Sequence, residues 1–452
     1  MSGRIMIAGT GSGSGKTSLV CGLISAFGMA GKSVVSFKCG PDFVDPIFHK
    51  NSLGIDSYNL DTFLSGDSGV SSLLSEKSEC ADISIIEGVM GFYDGVMSDN
   101  FEGSSCYISN LTKTPVILVV NCKGKSFSIV AEIKGFLDFA SNMIVGVILN
   151  NVNPMTYDYY KKMIEKYMDI KVLGYLPFNV DYSISERKMG LSLDEQKVLK
   201  NKLSLLGKTV AETLDLKQIF DIAKSASGLE KNMLNIDKNF DVKIGIARDD
   251  AFSFGYSYNY ELIKKMGGEI VWFSPLNDSD LPQDLDGIII GSGYVTDYLE
   301  RLSENKGFLN CLIQKLENGI PAIIEGAGNI LIGKEYRDQV GNTYKFAGYM
   351  DNTFSESDKL VNFGYHFIKS KADNLICKKD EILPVHEFHY LAQTNFGDGF
   401  IAHKPSKNTV RECIASSENL YAGMPYLYFC GNECVCENFL IACEKYRKRT
   451  NV

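Results

Sequence analysis

The chain has 452 residues and a mass of 50.0 kDa, too long for one ordinary compact domain, so two domains of about 200–250 residues are expected. With 45% hydrophobic and 22% charged residues its composition is that of a soluble globular protein, which excludes a disordered or fibrous chain. A net charge of −9 argues against broad nucleic-acid binding, and the lack of any apolar run of about 18 residues argues against a membrane span.

The sequence enters a strand and a glycine loop directly, with no secretory pattern, so a cytoplasmic location is expected. Short β-branched runs then alternate with helical stretches. The strands are placed at Arg4–Ala8, Ser33–Lys38, Ile83–Glu87, Val116–Asn121, Ile144–Asn150 and Lys171–Leu176. Continuous apolar runs separated by helices indicate a parallel sheet covered on both faces. Residues 195–240 are polar and helical, and read as a closing helix and a linker. A second alternating series follows at Val242–Ala247, Glu269–Phe273, Gly287–Gly291 and Pro321–Glu325. The expected architecture is α/β throughout: a first domain at 1–225, a linker at 226–241 and a second domain at 242–452, each a mainly parallel sheet flanked by helices.

The sharpest local signal is Gly9-Thr10-Gly11-Ser12-Gly13-Ser14-Gly15-Lys16-Thr17-Ser18, between the first strand and a helix. Glycines let the backbone wrap phosphate oxygens and aim N–H groups at them, and the helix adds its positive end. In this phosphate loop Lys16 reaches the β- and γ-phosphates and the Thr17 hydroxyl takes Mg²⁺. Thr10 stands where the strict pattern has glycine, so the loop is a variant. ATP and Mg²⁺ are the expected cofactors. Glu87, ending "ISIIEG", and Asp45, in "KCGPDFVDPIFH", end strands on the same sheet edge and are the expected acidic metal partners. Asp42 is a further acidic residue of that loop.

Twelve cysteines are scattered along the chain, and Cys21, Cys39 and Cys122 sit in apolar stretches as small hydrophobes. Cys430, Cys434, Cys436 and Cys443 cluster near the end. They match no standard ligand spacing and lie at or beside a predicted helix from Glu433 onward. Buried or incidental thiols are the main reading, with zinc or an iron–sulfur cluster the alternative.

Taken together, "GTGSGSGKTS", "FKCGPDFVDPIFH", "NLDTFL", "IEGVMGFYDG", "GVILNNV", "LGYLPFNVDYSISERKMGL", "IGIARDDAFSFGY", "GIIIGSGY", "HEFHY" and the tail "YLYFCGNECVCENFLIACEKYR" resemble the cobyrinic acid a,c-diamide synthase family in order and spacing, over essentially the whole chain. The resemblance implies a dethiobiotin-synthetase-like P-loop amidoligase domain followed by a class I glutamine amidotransferase-like domain. It implies ATP-dependent amidation of acetate side chains on a tetrapyrrole, through an acyl phosphate that ammonia attacks. Lys16, Lys38, Asp45 and Glu87 are then the expected catalytic residues, with Thr17, Asp45 and Glu87 on the metal. Lys38 reaches the γ-phosphate or the substrate carboxylate, or is a snorkelling surface lysine. Asn150 falls where related enzymes contact the nucleotide base, or is a strand-end cap. In "SERKMGL", Glu186 and Arg187 match the family and Lys188 replaces an expected histidine. A homodimer is plausible on the resemblance.

One departure matters. The family's glutaminase turn reads roughly Glu-Cys-Gly-Gly, whereas this chain has Glu325-Gly326-Ala327-Gly328, with no side chain at the nucleophile position. The histidine of a late His-Leu-His-Phe element is also gone, since the chain reads Tyr426-Leu427-Tyr428-Phe429. A phenol with an ordinary pKa of about 10 is a poor base near neutral pH. Glutaminase activity is therefore expected to be lost, with ammonia coming from solution or from an ammonia-supplying protein. Relocation to Cys311 is disfavoured because a moved nucleophile leaves its oxyanion hole behind. His386 and His389 are read as organising an interface or pocket, and His49 and His366 receive no role. Two alternatives stay open: a related ligase for another carboxylate or amine, including nickel-sirohydrochlorin, and a nucleotide-dependent cofactor or metal carrier.

Overall fold

A computed structural model describes residues 2–96, 100–182, 193–229, 238–405, 407 and 409–450. The chain divides into two compact units, one of Met1–Thr62 with Gly66–Leu234, the other of Phe63–Ser65 with Asn235–Val452. Among the described residues no helix is long and apolar enough to cross a membrane. Glu186, Arg187, Lys188 and part of the expected linker lie outside the described residues.

The first unit runs β1 (Gly3–Gly9), α1 (Lys16–Met29), β2 (Val34–Cys39), α2 (Val44–Phe48), β3 (Ser57–Leu60), α3 (Thr62–Ser78), β4 (Ile83–Glu87), α4 (Ser105–Leu111), β5 (Val116–Asn121), α5 (Ser128–Asp138), β6 (Ile144–Asn150), α6 (Tyr157–Tyr167), β7 (Lys171–Leu176), α7 (Leu193–Thr213) and α8 (Leu216–Lys224). Its seven strands form one parallel sheet in the order β3-β2-β4-β1-β5-β6-β7. All of β1 is buried, and Ile5 and Ile7 pack with Leu19, Leu23 and Leu206 in one core. Because every strand points the same way, the ends of β1, β2 and β4 meet at one edge. The chain leaves β1 toward β2 on one side and later crosses from β4 to β5 on the other, so the strand order reverses beside β1, the position where open α/β sheets take ligands. β3 was not expected from the sequence; it is buried along its length although it carries Ser57 and Asn59.

The second unit contains β8 (Val242–Ala247), α9 (Ser257–Lys265), β9 (Gly268–Phe273), β10 (Gly287–Ile290), α10 (Leu299–Glu304), α11 (Lys306–Glu317), β11 (Ala322–Glu325), α12 (Asn329–Ile332) and, after further strands, α13 (Glu433–Thr450). Its main sheet orders Ala415–Ser416, Leu420–Gly423, β11, β10, β8, β9, and only the first pair is antiparallel. Beyond β11 the structure adds two four-stranded sheets of mostly antiparallel pairs, absent from the sequence reading.

Candidate active site

The glycine loop leaves β1 and enters α1 through Gly15, whose φ of 97° is the left-handed conformation that side chains resist. A Cβ there would sit 2.1 Å from the Asn150 amide nitrogen. That amide donates to the Ser14 carbonyl at 2.8 Å, while its oxygen accepts from the Asn151 N–H at 2.9 Å. Both ends of Asn150 are thus engaged, and the residue braces the loop from the end of β6. Ser14 is buried, and its hydroxyl has no hydrogen-bond partner among the described residues, an orphan donor inside a phosphate-type cradle.

Lys16 turns back over the loop and donates to the Gly11 carbonyl at 3.0 Å and to the Met90 carbonyl. Met90 follows β4 with φ of 43°, and the Gly91 N–H of the same loop donates to the Asp94 carboxylate at 2.7 Å. Burial, then the neighbouring Lys38 charge, lowers the Lys16 ammonium to about 8, against the opposing pull of Glu87, Asp94 and Asp45.

Lys38 and Glu87 are register partners across β2 and β4, so the pleat sends both side chains to the same face. The Lys38 ammonium lies 2.9 Å from Glu87 Oε1 and 2.6 Å from Asp45 Oδ2, bridging the two carboxylates. Thr17 also donates to Glu87 Oε1, at 2.6 Å. Lys38 is 6% exposed and both carboxylates 0%, so the surface-lysine alternative is wrong: Lys38 lies within β2, beneath solvent, and its cation balances buried anions. Burial works to lower the Lys38 pKa, but Glu87 and Asp45 outweigh it and the ammonium is strongly held. Burial likewise raises Glu87, and Lys38, His49 and the Thr17 bond together bring it down to about 2. Asp45 sits in the first turn of α2, and Asp42 accepts from the Val44 N–H at 2.9 Å as a turn former.

In the second unit β11 ends at a sharp turn, Gly326–Gly328, that leads into α12. Gly326 has φ of 53°, and a Cβ there would meet the Tyr426 hydroxyl oxygen at 2.4 Å and Ser292 Cβ at 3.0 Å. The Tyr426 hydroxyl is hydrogen-bonded to Ser292, and Ser292 Oγ accepts the Ala327 N–H at 3.2 Å. The turn is braced by the Asn329 amide, which donates to the carbonyls of Ile324, Gly326 and Gly423.

Residues 5–191 match the model of the CobQ/CobB/MinD/ParA nucleotide binding domain, and 243–416 that of the CobB/CobQ-like glutamine amidotransferase domain. The chain is 34% identical to the cobyrinate a,c-diamide synthase of Caldanaerobacter subterraneus over 98% of its own length and 99% of the relative's. It is 35% identical to that of Priestia megaterium (98% of each chain) and 37% identical to that of Fusobacterium nucleatum (94% and 97%). The chain belongs to the cobyrinate a,c-diamide synthase family.

Within that family's two-domain layout, the structure gathers Lys16, Thr17, Lys38, Asp45 and Glu87 at one sheet edge, with Asn150 behind the loop. His49 went unassigned from the sequence, yet its ring is fully buried with Nε2 3.8 Å from Glu87 Oε2. The signal was available, because His49 follows Asp45 by four residues and such residues share a helix face. The terminal cysteines are not gathered: Cys430, Cys436 and Cys443 are buried, Cys434 is exposed, and no metal-ligating group of three or more His, Cys, Asp or Glu is found among the described residues. Cys311 lies on α11, half-buried. His386 pairs its backbone with Tyr426, whereas His389 contacts Glu387 at 3.4 Å.

Proposed function

We propose that this chain is an ATP-dependent ligase that converts acetate carboxylates of a corrinoid, or a closely related tetrapyrrole, into amides, with ammonia supplied from outside the chain. The observation that carries this reading is the buried Lys38–Asp45–Glu87–Thr17 constellation beside the glycine loop. It lies in a chain similar over its length to proteins named cobyrinate a,c-diamide synthase.

A carboxylate is a poor electrophile and must be activated. Its oxygen attacks the γ-phosphorus, the bond to ADP breaks, and an acyl phosphate forms. The ammonia lone pair then attacks the carbonyl carbon, the carbon–oxygen bond to phosphate breaks, and the amide nitrogen gives up its proton. Lys16, at the mouth of the loop, neutralises the phosphates. Lys38 presents its charge where the phosphoryl group and the substrate carboxylate approach. Thr17, Asp45 and Glu87 are a set of hard oxygen donors that fits Mg²⁺, and these residues would hold it. When bound, Mg²⁺ supplies neutralisation of the phosphoryl oxygens. Asn150 contributes to nucleotide binding by fixing the shape of the loop.

The second unit supports the external nitrogen source. At the turn after β11 the nucleophile position has no side chain, Tyr426 occupies the space in front of it, and the Ala327 N–H is already bonded. The test is to incubate the protein with ATP, Mg²⁺ and a corrinoid polycarboxylate, with ammonium or glutamine, and to count amides by mass spectrometry. Carboxylate-stimulated ADP release with amide formed from ammonium is expected. ATP hydrolysis indifferent to the carboxylate, with no amide, would overturn the ligase reading. Glutamine serving as well as ammonium would overturn the external donor.

A further inference from the structure

A buried polar chain lies directly beneath the carboxylate pair. Ser36 Oγ contacts Ser57 Oγ at 2.6 Å and His49 Nδ1 at 3.1 Å, and the opposite ring nitrogen faces Glu87 Oε2 at 3.8 Å. Ser36, His49 and Glu87 are 0% exposed and Ser57 is 1% exposed. An imidazole sealed from water is costly unless its nitrogens meet polar groups: Nδ1 bonds Ser36 Oγ, while Nε2 faces Glu87 Oε2 across 3.8 Å, an electrostatic contact longer than a hydrogen bond.

The backbone delivers it on purpose. Asp45 stands in the first turn of α2, and the chain then opens into a π-helical turn, His49–Leu53. Turns of that kind are uncommon and recur at functional sites. The four-residue spacing sends Asp45 and His49 to the same side, so a single short element brings one group to the Lys38 ammonium and another to the back of Glu87. Ser36 and Lys38 alternate on one face of β2, with Ser57 the register partner of Ser36 on β3. Glu87 is therefore hydrogen-bonded at Oε1 by Thr17 and Lys38, while Oε2 faces the buried His49 ring at 3.8 Å, close enough for an electrostatic contact.

We propose that His49 is a positioning residue, one that, anchored by Ser36 and Ser57, fixes the rotation of the Glu87 carboxylate so that Oε1 stays presented to the nucleotide's magnesium ion. This rests on the assignment of Glu87 as a metal ligand. Groups that orient a metal ligand from behind change metal affinity by about 10–100-fold when removed. They need not touch the nucleotide.

The experiment uses the full chain and measures ADP and ATP affinity by calorimetry with and without Mg²⁺, together with Mn²⁺ binding by electron paramagnetic resonance. In the wild type, divalent cation should tighten nucleotide binding. His49→Ala should weaken Mn²⁺ binding to the nucleotide complex at least tenfold and leave metal-free nucleotide affinity within twofold. His49→Gln, whose terminal nitrogen stands near the position of Nε2, should restore most of the loss. His49→Asn, which reaches only toward Ser36, should not. Thermal melts of each variant establish that it is folded. The proposal is overturned if His49→Ala leaves Mn²⁺ affinity unchanged, if it weakens metal-free and metal-bound nucleotide equally, or if Asn rescues as well as Gln. A wild-type protein with no metal-linked tightening would instead overturn the metal role of Glu87 itself, and the role of His49 with it.

Discussion

Replacing Gly326 by alanine asks whether the turn after β11 is closed as the geometry requires. The backbone there has φ of 53°, and a side chain in the left-handed region costs about 1–2 kcal/mol. The added methyl would also stand 2.4 Å from the Tyr426 hydroxyl oxygen and 2.9 Å from its Cζ, far inside contact distance. Tyr426 is buried and bonded to Ser292, so it yields only with local repacking, typically about 1–3 kcal/mol. The expected loss is about 3 kcal/mol. The chain's single tryptophan, Trp272, lies on β9, so its fluorescence reports unfolding of the second unit. With a urea slope of about 2 kcal/mol/M the midpoint should fall by about 1.5 M. Tyr426→Ala in the same background should make the two changes strongly non-additive, because the overlap vanishes with the ring. A Gly326→Ala midpoint within ~0.2 M of wild type, or simple additivity in the double variant, would refute this packing of Gly326 against Tyr426.

Other outcomes are accessible with the same protein. Lys16→Ala should reduce ammonium-dependent amidation by about 10²–10³-fold or more, read as ADP release, if the cation faces developing phosphoryl charge as proposed. Asn150→Ala removes the buried hydrogen bond that braces the loop at Ser14 and the bond that fixes the amide's other end, and should weaken nucleotide binding by roughly tenfold in a calorimetric titration. Burial pushes the Glu325 carboxyl up to about 8 despite the Leu427 N–H donated to it at 2.7 Å. The folded state therefore holds this proton where the unfolded chain, near the ordinary 4.5, releases it, and stability falls as pH rises from about 5 to 8. The difference is worth on the order of 5 kcal/mol. Glu325→Gln should match wild type near pH 5 and exceed it above pH 8 by Trp272-monitored urea midpoints; a pH-independent gap would contradict the burial argument.

Much of the first unit was legible because its strands are continuous apolar runs: the strands at Ile83–Glu87, Val116–Asn121, Ile144–Asn150 and Lys171–Leu176 have the same bounds in sequence and structure. The glycine loop was equally plain, since its chemistry demands specific residues at fixed spacing. β3 was missed for a physical reason. Ser57 and Asn59 are buried with partners, Ser57 on Ser36 and Asn59 on the carbonyls of Gly40 and Asp42, so polar residues interrupt a fully buried strand. The strand Asn362–Ser370 inverts the usual pattern in the same way, with His366 and Ser370 buried while Phe363 and Phe367 are exposed. The Asp45-to-His49 spacing is legible in the sequence, but it carries weight only once a helix is placed from Val44 onward.

An external nitrogen source draws more strength from the whole turn than from the missing thiol alone. Glutamine hydrolysis needs a nucleophile, a base within reach of it and a free backbone donor for the oxyanion. Cysteine at position 326 would supply the first, but its Cβ would collide with the Tyr426 hydroxyl, and the phenol, pushed further up by burial, would not accept its proton. Histidine at position 426 would supply a base and relieve the collision. The N–H of Ala327, the residue after the nucleophile and hence the natural oxyanion donor, would still be held by Ser292 Oγ at 3.2 Å. Each repair leaves another requirement unmet, because Gly326, Tyr426 and Ser292 fill one another's space. The turn has settled into a packed and hydrogen-bonded arrangement of its own, and that arrangement supports the external ammonia proposed for the amidation chemistry of the first unit.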